Sequence, residues 1–180
     1  IILLGLTYAL FLSPPDYIQG DSVRIMYVHV PSSLLALGCF GFIGICSLFN
    51  VIFKIKYISL VAKSVAPIGF TFSIISIVTG SLWGKPTWGI WWVWDARLTS
   101  MLVLVFFYLL YILVWKLNSN FDRANRISSY VGIIGSLNLP IIRYSVDWWN
   151  TLHQTSSITL TSAPSIHLDM LIPLIIMFIG

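Results

Sequence analysis

Four stretches, 34–53, 62–82, 98–117 and 127–142, are almost wholly apolar and each comes close to the length of a helix that crosses a bilayer, which takes about 20 residues. Two shorter apolar runs, 1–12 and 168–180, occupy the ends of the chain. In hydrocarbon no water is present to satisfy backbone N–H and C=O groups, so runs of this kind must bond internally, as helices. Charged residues make up only 9% of the 180, against about 25% in an ordinary soluble domain. The expectation is an all-α, polytopic integral membrane protein with about six transmembrane helices, forming one domain over residues 1–180. The first and last helices read as truncated, since both ends of the chain lie inside apolar runs.

Counting charges orients the spans. Alternation puts the connections 54–63 and 116–126 on one side, with Lys54, Lys56, Lys63, Lys116, Arg123 and Arg126 against Asp122 alone. The other side holds Arg24, Lys85, Arg97 and Arg143 against Asp16, Asp21, Asp95, Asp147 and Asp169. The balance is +5 against −1, together the chain's +4. Basic connections stay in the cytoplasm, or in the matrix of a mitochondrion. A bacterial plasma membrane or a mitochondrial inner membrane therefore fits, with the opposite connections facing the periplasm or the intermembrane space. No basic surface is patterned for nucleic acid, and no nucleic-acid partner is expected. Gly38, Gly41 and Gly44, at three-residue spacing, mark a helix that neighbours approach closely.

One connection on the outward side is unlike the rest. From position 83 it reads Trp-Gly-Lys-Pro-Thr-Trp-Gly-Ile-Trp-Trp-Val-Trp-Asp-Ala-Arg, and holds five of the eight tryptophans: Trp83, Trp88, Trp91, Trp92 and Trp94. Aromatic belts at the membrane interface are ordinary, because indole is apolar at one edge and a donor at the other. Five within twelve residues, interrupted by glycines and adjoining Asp95 and Arg97, exceed what a belt needs. Gly84, Pro86 and Gly89 are expected to break any regular helix through its first half. The segment is read as an irregular or partly helical lid, a platform for something flat and apolar. Asp95 or Thr99 would cap the span that follows.

Three histidines, His29, His153 and His167, all fall on the outward side. His29 is expected just before the second span, and His153 in a long polar connection, 143–165, between the last two. A lone interfacial histidine is ordinarily a solvated side chain. Two beside aromatics, at the level of the tryptophan lid, suggest a shared ligand. Structural zinc wants four Cys or His ligands at short spacings, and no close His/Cys pair is present. Cys39 and Cys46, seven residues apart on one apolar run, cannot bond to each other and are read as packing residues. Without Cys-x-x-Cys-His the chain does not carry covalent haem in the c-type manner. Non-covalent haem does fit, because its macrocycle supplies four ligands and leaves the axial positions to imidazole. Its apolar face suits indole, and its propionates suit Arg24, Arg97 or Lys85.

Trp83 to Ser100 resembles the tryptophan-rich signature of the haem-handling proteins of cytochrome c maturation. Residues 24–31, 138–142 and 144–154 resemble the CcmC family, haem exporter protein C, within that group. The likeness runs from about Asp16 to Gln154, with three motifs in order. It implies six membrane helices and a haem b bound transiently at the outer face, with His29 and His153 as axial iron ligands. Trp88, Trp91, Trp92, Trp94 and Asp95 would hold and present the haem for covalent attachment to the haem chaperone CcmE. CcmD and the ABC transporter subunits CcmA and CcmB would complete the complex. His167 matches no motif, and no acid, base or nucleophile marks a catalytic site.

Three alternatives stand beside this reading. A haem lyase or synthase relative such as CcmF would be larger, with more spans and histidine ligands at membrane depth. A transmembrane b-type cytochrome would place its ligating histidines inside helices, where the apolar runs here have none. A transporter would show ionisable groups near mid-membrane, and apart from Asn50 and Asn138 the spans hold little that is polar.

Overall fold

The structure, a computed structural model, describes residues 1–149, 151–153 and 166–180. Among these every regular element is helical, apart from a single bridge between Asp16 and Gly20. α1 (Ile2–Thr7) passes into a π-helical turn at Tyr8–Leu12, and a 3₁₀ turn at Asp21–Ile25 leads into α2 (Met26–Phe53). Then follow α3 (Lys56–Trp88), α4 (Ala96–Leu117), α5 (Phe121–Ser136), α6 (Asn138–Trp148) and α7 (Leu168–Ile179). Helices α2, α3 and α4 are each long and apolar enough to span a bilayer. Leu137 between α5 and α6 keeps helical dihedrals (φ −65°, ψ −19°), so those two form one broken rod. With α1 and its π turn, and with α7, the described residues form a six-rod, all-α membrane bundle. Phe42, Ile45, Ile68, Val78, Phe106 and Leu110 are exposed along the long helices, a surface suited to lipid rather than water.

Lipid tails are as apolar as leucine, so close packing and buried polar bonds must hold such helices together. The main core joins α2, α3, α4, α5 and α6 around Phe40, Ile43, Leu104, Tyr108, Tyr111 and Ile142. Phe40 meets Tyr108 edge to face at 4.7 Å, and the Tyr108 hydroxyl donates to the Ala36 carbonyl at 2.6 Å. Where α2 crosses α5, a Cβ on Gly44 would lie 2.7 Å from that of Ser136. Below this crossing, Asn50 Nδ2 donates to Asn125 Oδ1 (2.9 Å) and Ser129 Oγ (2.8 Å). Asn138 ties the break in the α5–α6 rod to the Ser100 carbonyl of α4 at 2.7 Å. Both asparagines are therefore structural ties. A second, smaller core packs α1 and α7 on α2 through Ala9, Met26, Tyr27 and Leu174.

Helix limits differ from the sequence expectation in five places, one being α5, which begins at Phe121 and so carries Arg123 and Arg126, expected in a connection. α2 begins at Met26, so His29 is the fourth residue of the helix, not part of a connection before it. α3 begins at Lys56, which puts Lys63 on the helix and Pro67 in its interior. α3 also runs through Gly84 and Pro86 to Trp88 and ends only at Gly89, whose φ of +79° suits glycine. Pro86 lies in the last turn, where its missing N–H forfeits only the bond to the Leu82 carbonyl, and Thr87 Oγ1 donates to the next carbonyl along, Trp83, at 2.8 Å. Finally, α6 continues to Trp148, so the connection expected from 143 starts later. Its part at 154–165, together with Asn150 and Gln154 of the resembling motif, lies outside the described residues. Of the glycine triplet, Gly44 makes the close approach, whereas a Cβ on Gly38 would meet nothing within 4 Å.

Gly44→Leu should destabilise the protein by about 1–3 kcal/mol, the usual cost of overpacking, while Gly38→Leu should be near neutral. Thermal unfolding of the two variants in detergent separates them.

Candidate functional site

Helix direction brings the start of α2, the end of α3, the start of α4 and the end of α6 to one end of the bundle, opposite Lys54, Lys56 and Lys116. His29 projects from the first turn of α2 onto α3. Its Nδ1 lies 3.0 Å from the Ser76 carbonyl and 3.1 Å from Thr79 Oγ1. A carbonyl can only accept, so Nδ1 carries the proton and Nε2 keeps its lone pair. Gly80 makes room for the ring, since a Cβ there would come within 2.9 Å of His29 Cε1. Trp83 meets the imidazole edge to face at 5.8 Å. The indole N–H of Trp83 donates to Gln19 Oε1 at 2.8 Å, tying the first loop down.

The tryptophan segment turns back at Gly89. Its chain runs alongside the last turns of α3, where Ser81 Oγ donates to the Trp91 carbonyl at 2.6 Å. Gly84 permits that approach: a Cβ there would lie 3.3 Å from the Ile90 carbonyl oxygen. The expected lid is thus half helix and half returning strand of irregular backbone. Trp91 and Trp94 are 55% and 75% exposed, so two indoles stand free at the surface. Trp92 packs edge to face on Trp94 at 5.6 Å, and its own N–H is buried without an acceptor among the described residues.

Asp95 closes the segment and does two things. Its Oδ1 accepts from the Leu98 N–H at 2.8 Å, the N-cap of α4. Its Oδ2 lies 3.0 Å from His153 Nδ1. Burial pulls the His153 imidazole below its ordinary pKa of 6.5 and outweighs the Asp95 carboxylate, which pulls the other way. The pair at neutral pH is therefore a hydrogen bond from a neutral ring, not an ion pair. Nδ1 donates and Nε2 again keeps its lone pair, the geometry in which a carboxylate orients a metal-ligating histidine. Trp88 packs against the His153 ring at 4.7 Å, edge to face.

The structure thus gathers His29, His153, Trp83, Trp88, Asp95 and Arg97 at one end. His29 is within electrostatic reach of both His153 and Arg97. Arg97 is half-buried, with Asp95, Asp147 and Arg143 as its charged neighbours, and has no carboxylate within 4 Å among the described residues. Two other candidate cations are engaged elsewhere. Arg24 bonds the carbonyls of Leu10 and Ser13 (the latter at 3.3 Å) and pairs with Asp21 at 3.1 Å. It satisfies the open carbonyls where the π turn ends, as a cation at a helix C-terminus does. Lys85 donates to the Gly89 carbonyl at 2.9 Å and lies over the Trp91 ring. His167 caps α7 by accepting from the Asp169 N–H at 3.3 Å. Ser76, Thr79 and Gly80 had escaped sequence reasoning. Their signal was small residues at three- and four-residue spacing leading up one face of α3 to Trp83.

Fold and site together define a polytopic membrane protein that presents two Nδ1-anchored imidazoles and a tryptophan-rich segment at one end of a helical bundle. The sequence model of the family described as CcmC, heme exporter protein C, matches residues 1–180. The chain is 44% identical over 177 residues to the heme exporter protein C of Haemophilus influenzae, covering 98% of this chain and 72% of that one. It is 43% identical over 181 residues to the heme exporter protein C of Bradyrhizobium diazoefficiens, covering 100% and 69%. A cytochrome c biosynthesis ccmC-like mitochondrial protein of Marchantia polymorpha is 41% identical over 175 residues, with coverage of 97% and 74%. The chain belongs to the CcmC family.

Because burial lowers the His153 pKa, docking of its loop contributes stability above pH 6.5 that is lost as the pH falls through the lowered folded value. Chemical modification of His153 by diethyl pyrocarbonate, followed by mass spectrometry across pH, should give a midpoint below 6.5. Asp95→Asn removes the opposing charge and should shift that midpoint further down, not up. Asp95→Ala should also cost about 1 kcal/mol in helix capping.

Proposed function

We propose that this protein holds haem at the histidine end and presents it for transfer during the maturation of c-type cytochromes. The observation that carries the reading is the pair of imidazoles, each anchored through Nδ1 to a fixed acceptor and each left with a free Nε2 lone pair. An iron porphyrin needs two such nitrogens, one on each face. His29 and His153 are the axial ligands, and Asp95 sets the tautomer and the direction of the second. Trp88, Trp91, Trp92 and Trp94 contact the ring by dispersion and stacking. Arg97, short of a carboxylate partner, suits a propionate better than Arg24, whose role is to hold the turn before α2. The relatives' names, heme exporter protein C and a protein of cytochrome c biosynthesis, support the same reading.

The cargo is haem b, bound transiently, and its recipient is the haem chaperone CcmE, which takes it covalently. CcmD and the transporter subunits CcmA and CcmB are the membrane partners. The excess of lysine and arginine at the far end orients the histidine end toward the periplasm or the intermembrane space. Exposed Trp91 and Trp94 leave an indole surface at which the recipient can approach. Nothing in the residues calls for acid–base or nucleophilic chemistry from this chain: its part is to bind, orient and release. One observation favours the b-type cytochrome reading, namely that His29 lies inside α2 after all. His153, outside every described helix, does not share that placement.

His29→Ala and His153→Ala should each lower the haem that co-purifies at least several-fold and alter its absorption spectrum. Arg97→Ala should weaken retention without changing the axial-ligand spectrum. Wild-type haem content and spectra in both histidine variants would overturn the proposal. Reduction of the bound haem by a quinol, with no transfer to the chaperone, would instead favour the cytochrome.

A further inference from the structure

At the opposite end of the bundle, α3 and α4 part to form a groove of about 350 Å³ lined by Lys63, Pro67, Tyr111, Ile112, Trp115 and Lys116. Its composition changes with depth. Lys63 and Lys116 are exposed at the rim, near the start of α3 and in the last turn of α4. One helical turn deeper along each helix lie Pro67 and Ile112, and buried Tyr111 and Trp115 form the floor. Lys63 Nζ is held over the Trp115 ring at 4.9 Å, which fixes the ammonium group without neutralising it.

Charge balance makes the groove unusual. The single acid at this end, Asp122, is taken by Lys56 at 2.6 Å. Lys63 and Lys116 have no carboxylate within 4 Å among the described residues. Two uncompensated ammonium groups therefore stand above an apolar wall at the basic end of the bundle. A soluble anion matches only the rim, and a neutral lipid only the wall.

We propose that this groove binds an anionic phospholipid of the adjoining leaflet. Its phosphate lies between Lys63 and Lys116, and the start of one acyl chain lies along Pro67 and Ile112. The contact would fix α3 against α4 at the end remote from the histidines. It stands independently of the haem reading.

The test is native mass spectrometry of the detergent-purified protein titrated with phosphatidylglycerol, phosphatidylcholine or inorganic phosphate. The wild type should retain one phosphatidylglycerol under activation that strips phosphatidylcholine. Each basic side chain near an anionic leaflet contributes about a factor of five. Retention by Lys63→Gln/Lys116→Gln should therefore fall by about twentyfold. Lys54→Gln/Arg126→Gln, which removes the same charge outside the groove, should retain phosphatidylglycerol as the wild type does. Equal retention by wild type and the groove variant, or equal loss in both double variants, would overturn the proposal. So would retention of phosphatidylcholine at the same level, or displacement of the lipid by inorganic phosphate.

Discussion

The Asp95 carboxylate bonds two elements that lie far apart in the chain. One oxygen supplies the acceptor that starts α4, and the other holds the imidazole of a loop 58 residues further along. A buried carboxylate is costly unless its lone pairs are used. With its side chain 6% exposed, Asp95 meets that cost with both bonds at once. The helix N-terminus adds a favourable dipole for the negative charge. The start of α4, the direction of the His153 ring and the end of the tryptophan segment therefore depend on the same group.

The two histidines are anchored by different means, with different consequences. His29 sits on one packed helix and bonds the backbone of another, so its ring moves only if α2 moves on α3. Gly80 and Ser76 leave it little freedom. His153 lies outside the described helices and, among the described residues, its ring is held by one carboxylate and one indole. One imidazole is built into the bundle, and the other is attached to it. For a protein read as receiving a ligand and then releasing it, such a pairing combines a fixed position with a route to let go.

Much of this was legible in advance because the bilayer allows few solutions. Apolar runs of membrane-spanning length had to be helices, and charge counting placed His29, the tryptophans and His153 at one end. The crowding of indoles beside Asp95 and Arg97 marked the candidate site. Helix limits were not legible, and Pro86 shows why. A proline in the last turn of a helix loses a single bond, so local breaking strength did not decide where α3 stops. Gly89 decided it, because only there does the backbone reverse. The partners of Arg24 were hidden for a related reason. Its charge was visible, but the open carbonyls of Leu10 and Ser13 arise only when the first helix ends in a π turn above it.

The sequence by itself determined the solvent, the helical class and the end of the molecule where the histidines and most of the indoles gather, because each follows from periodicity, charge and the cost of bare backbone in lipid. Tertiary structure alone decided which partner each imidazole uses, that Arg24 bonds the carbonyls of Leu10 and Ser13, and that Lys63 and Lys116 share a groove. Those outcomes depend on which helix faces meet, and the meeting is set by side chains far apart in the chain, such as Gly44 with Ser136 and Tyr108 with Ala36.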